Sequence, residues 1–272
     1  MTSPVLFTDL DGTLLDHESY EWEEARPALE LCKARRVPVI LVSSKTRAEM
    51  NPLRLELGLT APFISENGGG IYFPKEGLLD PPSEAVPDKK LWKWSLGVQY
   101  RDLVPLLREM REELDLPIRG FSDMTLEEIS RLTGLDLENA RLAAMREYDE
   151  PFVLTRRDKR TSERLRRAAL QRGLRISTGG RFHHLHGAVD KGDAVERVIA
   201  LYKALSSEVK TVGLGDSPND FPLLRKVDHP VLLGSPGRFP EIEADLPGLK
   251  LLEKAGPLGW NEAVLDFLLR KV

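Results

Sequence analysis

The fold is decided by residues 5–13, whose sequence is VLFTDLDGT. An apolar run ends in two carboxylates, Asp9 and Asp11, followed by a glycine and a hydroxyl. Alternate residues of a strand share a face, so both carboxylates are expected to project the same way at the carboxyl end of the strand. Gly12 can adopt the positive φ of an abrupt exit, and Thr13 can cap the next element of the chain. Open α/β folds bind their ligands at this edge of the sheet.

Two carboxylates held this close repel each other unless a cation lies between them or one of them holds a proton. The pair suits an aspartate nucleophile that works with Mg²⁺ and a neighbouring acid/base, as in enzymes that form an aspartyl-phosphate. The plainer interpretation of residues 5–13 is a turn after a buried strand.

Three further segments favour the chemical interpretation. Residues 211–220 (TVGLGDSPND) repeat the pattern of apolar strand, glycine and acids, with a Ser-Pro pair that suits a helix start and places Asp216 at a strand end. Residues 39–44 (VILVSS) form a strand that ends in hydroxyls. Residues 190–193 (DKGD) put a lysine at the beginning of a long helical pattern.

In this order, the four segments resemble the motifs of the haloacid-dehalogenase-like phosphohydrolases, and the resemblance extends along the whole chain. The long insert between Ser43 and Lys191 looks like the cap of the Cof-like branch of that superfamily. The implied fold class is α/β, a Rossmann-like parallel-sheet core with an inserted α+β cap domain. We expect a discontinuous catalytic core over residues 1–81 and 188–272, and a cap that governs substrate specificity over residues 82–187.

Four other segments look more narrowly like the mannosyl-3-phosphoglycerate phosphatases. They are residues 65–70 (SENGGG), 119–125 (RGFSDMT), 146–152 (REYDEPF) and 179–185 (GGRFHHL). One departure is visible, because Cof-like relatives often read T-G-R where this chain has Ser43, Ser44 and Lys45. The role of Lys45 is therefore left open.

The resemblance implies roles for the residues of the core. Asp9 would be the nucleophile, and Asp11 would protonate the leaving group and then deprotonate the hydrolytic water. Ser43 and Lys191 would bind the phosphate oxygens.

The same resemblance implies a metal site. Mg²⁺ would bind Asp9, the backbone carbonyl of Asp11, and Asp216. Asn219 and Asp220 would orient Lys191 or the water that the metal holds. For Asp220, a purely structural role stays open.

Substrate-binding residues are implied by the remaining motif positions. They are Ser44, Glu66, Asn67, Gly68, Thr178, Gly179, Gly180 and Arg181. Backbone N–H groups beside the guanidinium of Arg181 suit a carboxylate. A helix cap at Ser44 and a turn with an exposed arginine at Arg181 remain as alternatives.

Three histidines lie close together in a strand pattern. His184 and His186 share a face while His183 points the other way, and no cysteine completes a zinc set. A contact of one histidine with sugar or glycerate stays open beside a packed or solvated ring. The basic stretch 156–175 is interpreted as a solvated helix face.

Composition bounds the class of protein. The chain has 272 residues and a net charge of −4, which gives no general attraction to nucleic acid or anionic membranes. Its single cysteine, Cys32, excludes an internal disulfide, and no apolar run reaches 18 residues. We expect a cytoplasmic protein. The excess of arginine (25) over lysine (14) is compatible with a thermophilic source.

Hydrophobic periodicity predicts helices at about 22–35 and 46–57, the second bent or broken near Pro52. Residues 79–88 are predicted to form a linker, and a hairpin or flap is expected around residues 68–73.

The implied function is a Mg²⁺-dependent phosphatase that acts through an aspartyl-phosphate. Its substrate would be mannosyl-3-phosphoglycerate, with glucosyl-3-phosphoglycerate as a second one, and its product the compatible solute mannosylglycerate. We expect this small phosphorylated glycosylglycerate as partner, no nucleic acid and no membrane; the oligomeric state is not predicted. Two alternatives stay open: another sugar-phosphate phosphatase or phosphomannomutase of the superfamily, and a non-catalytic nucleic-acid-binding or regulatory protein.

Overall fold

A computed structural model describes residues 4–154, 159–179 and 182–269. Its strands are β1 (Pro4–Thr8), β2 (Val39–Leu41), β3 (Phe63–Ser65), β4 (Gly70–Pro74), β5 (Val86–Asp88), β6 (Leu91–Ser95), β7 (Ile118–Gly120), β8 (Asp149–Leu154), β9 (Leu174–Gly179), β10 (Phe182–Gly187), β11 (Lys210–Gly215), β12 (His229–Leu233) and β13 (Lys250–Leu252). Its α-helices are α1 (Arg26–Ala34), α2 (Arg47–Glu56), α3 (Tyr100–Leu114), α4 (Leu126–Thr133), α5 (Leu137–Ala143), α6 (Lys159–Gln171), α7 (Lys191–Leu205), α8 (Phe221–Leu224), α9 (Pro240–Asp245) and α10 (Gly256–Leu269).

The core is a five-stranded parallel sheet with the order β13-β12-β11-β1-β2. Alternate residues of β1 enter different apolar clusters: Leu6 packs with α1 and α10, whereas Val5 and Phe7 pack with α7 and α8. Burial on both faces explains why the strand reads as a continuous apolar run. The predicted α/β class and parallel core are confirmed.

A four-stranded antiparallel sheet, β3-β4-β6-β5, adjoins this core. It meets the parallel sheet through a bridge between Val42 and Ile64. The pairing of β3 with β4 confirms the expected hairpin. The prediction of a linker over residues 79–88 is wrong in its last part, because β5 pairs there with β6.

A second antiparallel sheet, with the order β7-β8-β10-β9, forms the separate cap layer. Helices α3 and α6 cover one face of it, and their side chains build an apolar cluster with Phe152, Leu174 and Leu185. The other face of this sheet is therefore left for contacts with the core.

The division of the chain at residues 81/82 and 187/188 stays a prediction. Strands β5 and β6 pair with β4, which places them beside the core sheet. We therefore propose that the cap begins near Leu96, after β6.

The two predicted N-terminal helices are present as α1 and α2. Helix α2 runs without interruption through Pro52, so the expected break is wrong. A capping box between Thr46 and Glu49 begins this helix, and it supplies the hydrogen bonds that the first turn needs.

Candidate active site

The carboxyl ends of the parallel strands bring three acids together. Asp9 follows β1, and its N–H still donates to the carbonyl of Leu214 on β11, 3.0 Å away. Asp216 follows β11 directly, and Asp220 lies in the short 3-10 turn after it. Carboxylate oxygens of the three aspartates lie within 4.8 Å of one another. The sequence had predicted that Asp9 and Asp216 stand at strand ends, and both do.

Lys191 connects two of these acids. It is the first residue of α7, which begins with a capping box between Asp190 and Asp193. Its Nζ donates to Oδ1 of Asp9 at 2.6 Å and to Oδ1 of Asp220 at 2.7 Å. Burial lowers the pKa of Lys191, but the two carboxylates outweigh it and hold this pKa above its ordinary value. The lysine therefore stays charged.

Asp220 also organises the backbone of its own loop. Its Oδ2 accepts from the N–H groups of Asp216 and Ser217, both at 3.1 Å, and from the hydroxyl of Ser217 at 3.0 Å. Both oxygens of Asp220 are thus engaged by protein donors. Within the described residues, the carboxylate of Asp216 and Oδ2 of Asp9 make no hydrogen bond.

The charge in this cluster is unbalanced, because three carboxylates face one hydrogen-bonded ammonium. Burial, together with Asp220 and Asp216, raises the pKa of Asp9 well above its ordinary value despite Lys191. Burial and Asp220 raise the pKa of Asp216 to about 6. A divalent cation would remove this excess, and carboxylate oxygens are the ligands that hard cations prefer. The residues present therefore fit a metal ion at Asp9 and Asp216.

Gly12 meets two requirements at once. Its φ is +81°, which confirms the predicted left-handed exit from β1. A Cβ added here would lie 2.8 Å from Oδ2 of Asp216, so the carboxylate of Asp216 would have to shift to make room for a side chain. The predicted cap at Thr13 is wrong, since its buried hydroxyl has no partner among the described residues and the chain turns back to Leu15.

Asp11 lies in this turn and is about one-third exposed. Its Oδ1 forms an ion pair with Nζ of Lys45 at 3.1 Å. The same ammonium lies 4.7 Å from the centre of the Tyr20 ring. The sequence left the role of Lys45 open, and the structure shows it in an ion pair with Asp11.

The hydroxyl segment after β2 contacts other motifs through its backbone. Ser43 is buried at the end of the strand. The carbonyl of Ser44 accepts from Arg146 at 2.8 Å. The alternative interpretation of Ser44 as a helix cap is wrong, because Thr46 caps α2 and accepts from the N–H of Glu49 at 3.1 Å.

The turn at residues 66–68 joins the core to the segment before β8. All three of its residues have positive φ. The carboxylate of Glu66, fully buried, accepts from the N–H of Glu147 at 3.0 Å and of Tyr148 at 2.7 Å. Burial raises the pKa of Glu66 to about 8, against the opposing effect of Arg146. Glu66 thus faces backbone, and its expected contact with substrate stays a prediction.

Four polar side chains, joined one to the next by hydrogen bonds, continue from this turn. Nδ2 of Asn219 donates to Oδ1 of Asn67 at 2.9 Å, and Nδ2 of Asn67 donates to Asp149 at 2.8 Å. The other oxygen of Asp149 lies 2.9 Å from Nδ1 of His184. Although burial raises the pKa of Asp149, His184 and Arg146 bring it below its ordinary value, so this carboxylate is ionised. The motif loop of Asn219 is therefore hydrogen-bonded to the cap sheet.

A cavity of about 360 Å³ lies beside these four hydrogen-bonded side chains, and we call it the cleft. From the core it is lined by Asn67, Lys191 and Asn219, and from the cap strands by Ser177, Thr178 and His186. Of the predicted substrate residues, Asn67 and Thr178 line the cleft. Gly179 ends β9, while Gly180 and Arg181 lie outside the described residues.

Two arginines of the basic stretch 156–175 border the cleft. Arg166 of α6 and Arg175 of β9 are exposed, and both also line the cleft. Arg175 forms an ion pair with Asp190 at 3.1 Å. Both side chains are exposed, as the interpretation of a solvated face predicts, and they also stand at the border of the cleft.

Sequence reasoning missed the structural roles of Arg146, Asp149 and His184. One signal was available, because strand β8 is buried along most of its length and yet begins with two acids. Buried acids need partners, and such a strand indicates an internal polar network.

Comparisons with known proteins identify the family of the chain. The haloacid dehalogenase-like hydrolase family matches residues 6–83. A protein of Methanococcoides burtonii is 40% identical over 266 residues, covering 97% of both chains, and one of Persephonella marina is 41% identical with the same coverage. Both are named glucosyl-3-phosphoglycerate/mannosyl-3-phosphoglycerate phosphatase. A crystal structure from Thermoplasma acidophilum shares the fold with a TM-score of 0.71 at 19% identity, covering 99% of this chain and 100% of that one.

The chain belongs to the haloacid dehalogenase-like hydrolase family, as its four motifs predicted. Within that family it is a phosphoric monoester hydrolase, a phosphatase. In the described part of the chain, no helix combines the length and the apolar character needed to span a membrane.

Proposed function

We propose that this phosphatase removes the phosphate of mannosyl-3-phosphoglycerate and of its glucosyl analogue, releasing the glycosylglycerate as an organic solute. Two relatives that match 97% of the chain carry both substrates in their names, which supports the pairing. The observation that carries the reaction is the position of Lys191. Its ammonium lies between Asp9 and Asp220, where a phosphoryl group could be held beside an attacking carboxylate.

In the first half-reaction, a carboxylate oxygen of Asp9 attacks phosphorus, and the bond from phosphorus to the glycerate oxygen breaks. Asp11 gives its proton to that departing oxygen. The products of this step are the glycosylglycerate and a phosphoryl group on Asp9.

In the second half-reaction, Asp11 takes a proton from water while the water oxygen attacks the phosphoryl group on Asp9. Inorganic phosphate leaves, and both aspartates return to their starting states. One residue can serve both steps because it alternates between acid and base. The ion pair with Lys45 fixes the position of the Asp11 carboxylate for these transfers.

Lys191 and Ser43 bind the phosphate oxygens in this proposal. The lysine is buried, so its charge acts with little screening by water. Asp220 holds Lys191 in place, and Asn219 is held by Asn67 at the edge of the cleft. These contacts let the protein stabilise the charge that moves during transfer without rearranging.

We propose Mg²⁺ as the metal, held by Asp9, Asp216 and the backbone carbonyl of Asp11. When bound, it neutralises the carboxylates and the phosphate so that the two anions can approach each other. On the cap side, Thr178, Gly179, Gly180 and Arg181 remain the proposed contacts of the substrate carboxylate.

A panel of phosphate esters tests the substrate. The two glycosyl-3-phosphoglycerates are compared with 3-phosphoglycerate, mannose 6-phosphate and p-nitrophenyl phosphate by the release of phosphate at fixed Mg²⁺. We expect the highest kcat/KM for the two glycosyl esters. A higher value for a simple sugar phosphate would overturn the proposed substrate while leaving the phosphatase class intact.

Asp9→Asn tests the nucleophile. We expect turnover to fall by several orders of magnitude with the thermal stability kept, because an amide cannot replace the attacking carboxylate. More than a tenth of the wild-type activity in this variant would exclude Asp9 as the nucleophile. Mass spectrometry of the wild type after acid quench should find the phosphoryl group on the peptide that contains Asp9.

A further inference from the structure

One face of the cap sheet points away from its helices. In β9, Leu174 and Ile176 pack with the apolar cluster of α3 and α6, so Ser177, the residue after Ile176, lies on the other face. In β10, Leu185 joins the same cluster, which leaves His184 and His186 on the face of Ser177. This face meets the cleft.

Among the residues that the structure describes, two polar atoms on this face are buried without a hydrogen-bond partner. They are Oγ of Ser177 and Nε2 of His186. His186 is only 5% exposed, and both residues line the cleft together with Lys191 and Asn219. A buried polar atom left unpaired costs stability, and native proteins keep few of them without a reason. A ligand group in the cleft would supply the missing partners.

The chemistry of His186 narrows the kind of ligand. Its Nδ1 lies 2.9 Å from the carbonyl of Gly187, which can only accept, so Nδ1 carries the proton. Burial lowers the pKa of His186, in spite of the nearby Asp149, and the ring is neutral at neutral pH. Its Nε2 is then a lone-pair acceptor. A neutral acceptor requires a donor such as a hydroxyl and gains nothing from a phosphate or a carboxylate.

The neighbouring histidine differs in this respect. His184 lies on the same face, but its Nδ1 contacts the ionised Asp149 within the chain of side chains that leads to Asn219. His184 is therefore part of the link between cap and core, whereas Nε2 of His186 has no hydrogen-bond partner among the described residues.

We propose that Ser177 and His186 form a hydroxyl-binding subsite that holds the sugar ring of the substrate. This inference rests on the proposed function, in which the sugar is the neutral part of the substrate and the part richest in hydroxyl groups. The phosphate is accounted for by Asp9 and Lys191, and the substrate carboxylate needs a cation. The serine hydroxyl both donates and accepts, and the histidine accepts, so together they fit one or two adjacent sugar hydroxyls.

Two inhibitors separate the sugar from the phosphate. Mannosylglycerate has the sugar without the phosphate, and 3-phosphoglycerate has the phosphate without the sugar. Each is measured as a competitive inhibitor of mannosyl-3-phosphoglycerate hydrolysis by the wild type, Ser177→Ala, His186→Gln and His186→Leu. His183→Leu, on the opposite face of β10, is the matched control.

We expect Ser177→Ala and His186→Leu each to raise the Ki of mannosylglycerate by about 2- to 10-fold relative to that of 3-phosphoglycerate, the effect of one neutral hydrogen bond. His186→Gln retains an acceptor near the position of Nε2 and should keep more of the affinity than His186→Leu. His183→Leu should leave the ratio of the two constants at its wild-type value.

Equal changes in both constants, or none in any variant, would overturn the subsite and leave the phosphatase reaction standing. If the wild type fails to hydrolyse either glycosyl ester, the proposed function itself is wrong, and the inference falls with it. Should His186→Leu fail to fold, Ser177→Ala and His186→Gln decide the question on the same two constants.

Discussion

Nζ of Lys45 lies 3.1 Å from Oδ1 of Asp11, so the segment after β2 holds the acid that follows β1. The carboxylates of Asp11 and Glu49 keep the pKa of Lys45 above its ordinary value although burial opposes them. The lysine is therefore a fixed positive charge beside the proposed acid/base.

Lys45→Met should lower kcat by roughly 10- to 150-fold, the effect of losing a charge-assisted contact that orients a catalytic carboxylate. KM should change less, because the lysine acts here through Asp11. Lys45→Arg keeps the charge and should recover part of the loss. Both variants are compared with the wild type by steady-state kinetics at saturating Mg²⁺. Wild-type turnover in Lys45→Met would show that Lys45 has no part in the mechanism.

Gly12→Ala should abolish metal-dependent activity. The new Cβ would stand 2.8 Å from Oδ2 of Asp216 and would push that carboxylate from its place beside Asp9. The left-handed φ adds a backbone cost of about 1–2 kcal/mol.

The matched control is Gly134→Ala, at a φ of +83° with nothing within 4 Å of the new Cβ. Both variants should lose similar stability in urea denaturation, and only Gly12→Ala should lose Mg²⁺-dependent turnover. If both variants keep their activity, Asp216 tolerates the displacement and the close approach has no functional role.

Removal of divalent metal should abolish activity. EDTA-treated protein should keep its circular dichroism spectrum, and Mg²⁺ should restore turnover, because the carboxylates of Asp9 and Asp216 lack sufficient positive charge otherwise. Asp216→Ala should raise the Mg²⁺ concentration for half-maximal activity at least tenfold. Asp245→Ala, an exposed acid at the end of α9, is the control and should leave that concentration unchanged. Full activity in EDTA would refute the metal site.

Glu66 should make the protein less stable as the pH rises. Its pKa is raised to about 8 in the fold, against 4.5 for the free side chain. Between these two values the folded protein holds a proton that the unfolded chain has released, so the unfolding free energy falls with rising pH. The loss should approach about 1 kcal/mol per pH unit within that window.

Glu66→Gln removes this titration. Urea denaturation of both proteins at pH 5, 6.5 and 8 should show the wild type losing stability relative to the variant at each step. A difference between the two proteins that stays constant with pH would mean that Glu66 is ionised throughout, held by Arg146 and the two backbone N–H groups.

The positions of the core motifs could be predicted from the sequence, and the reason is geometric. Parallel strands expose their carboxyl ends on one edge, so apolar runs that end in Asp9, Ser43 and Asp216 have to converge there. The left-handed Gly12 followed from the same pattern, because an acid pair and a glycine at a strand end demand a sharp turn.

The links between core and cap could not be predicted. Asn67 of the core is 82 positions from Asp149 of the cap sheet, and no periodicity relates them. Their contact depends on how the antiparallel cap sheet sits on the core, which local propensity does not determine. The break expected at Pro52 is absent for a different reason. The capping box and the packing of Met50 keep α2 intact through a residue that disfavours helix.

The backbone N–H groups of Glu147 and Tyr148 donate to the carboxylate of Glu66, and these hydrogen bonds have a consequence for protein engineering. A cap excised at its ends would lose the carboxylate that satisfies these N–H groups, and the remaining core would lose the two donors that Glu66 contacts. Exchange of the cap between relatives should therefore succeed only when the turn at residues 66–68 is transplanted with the cap. In such chimaeras the cap and the turn at residues 66–68 have to come from the same relative.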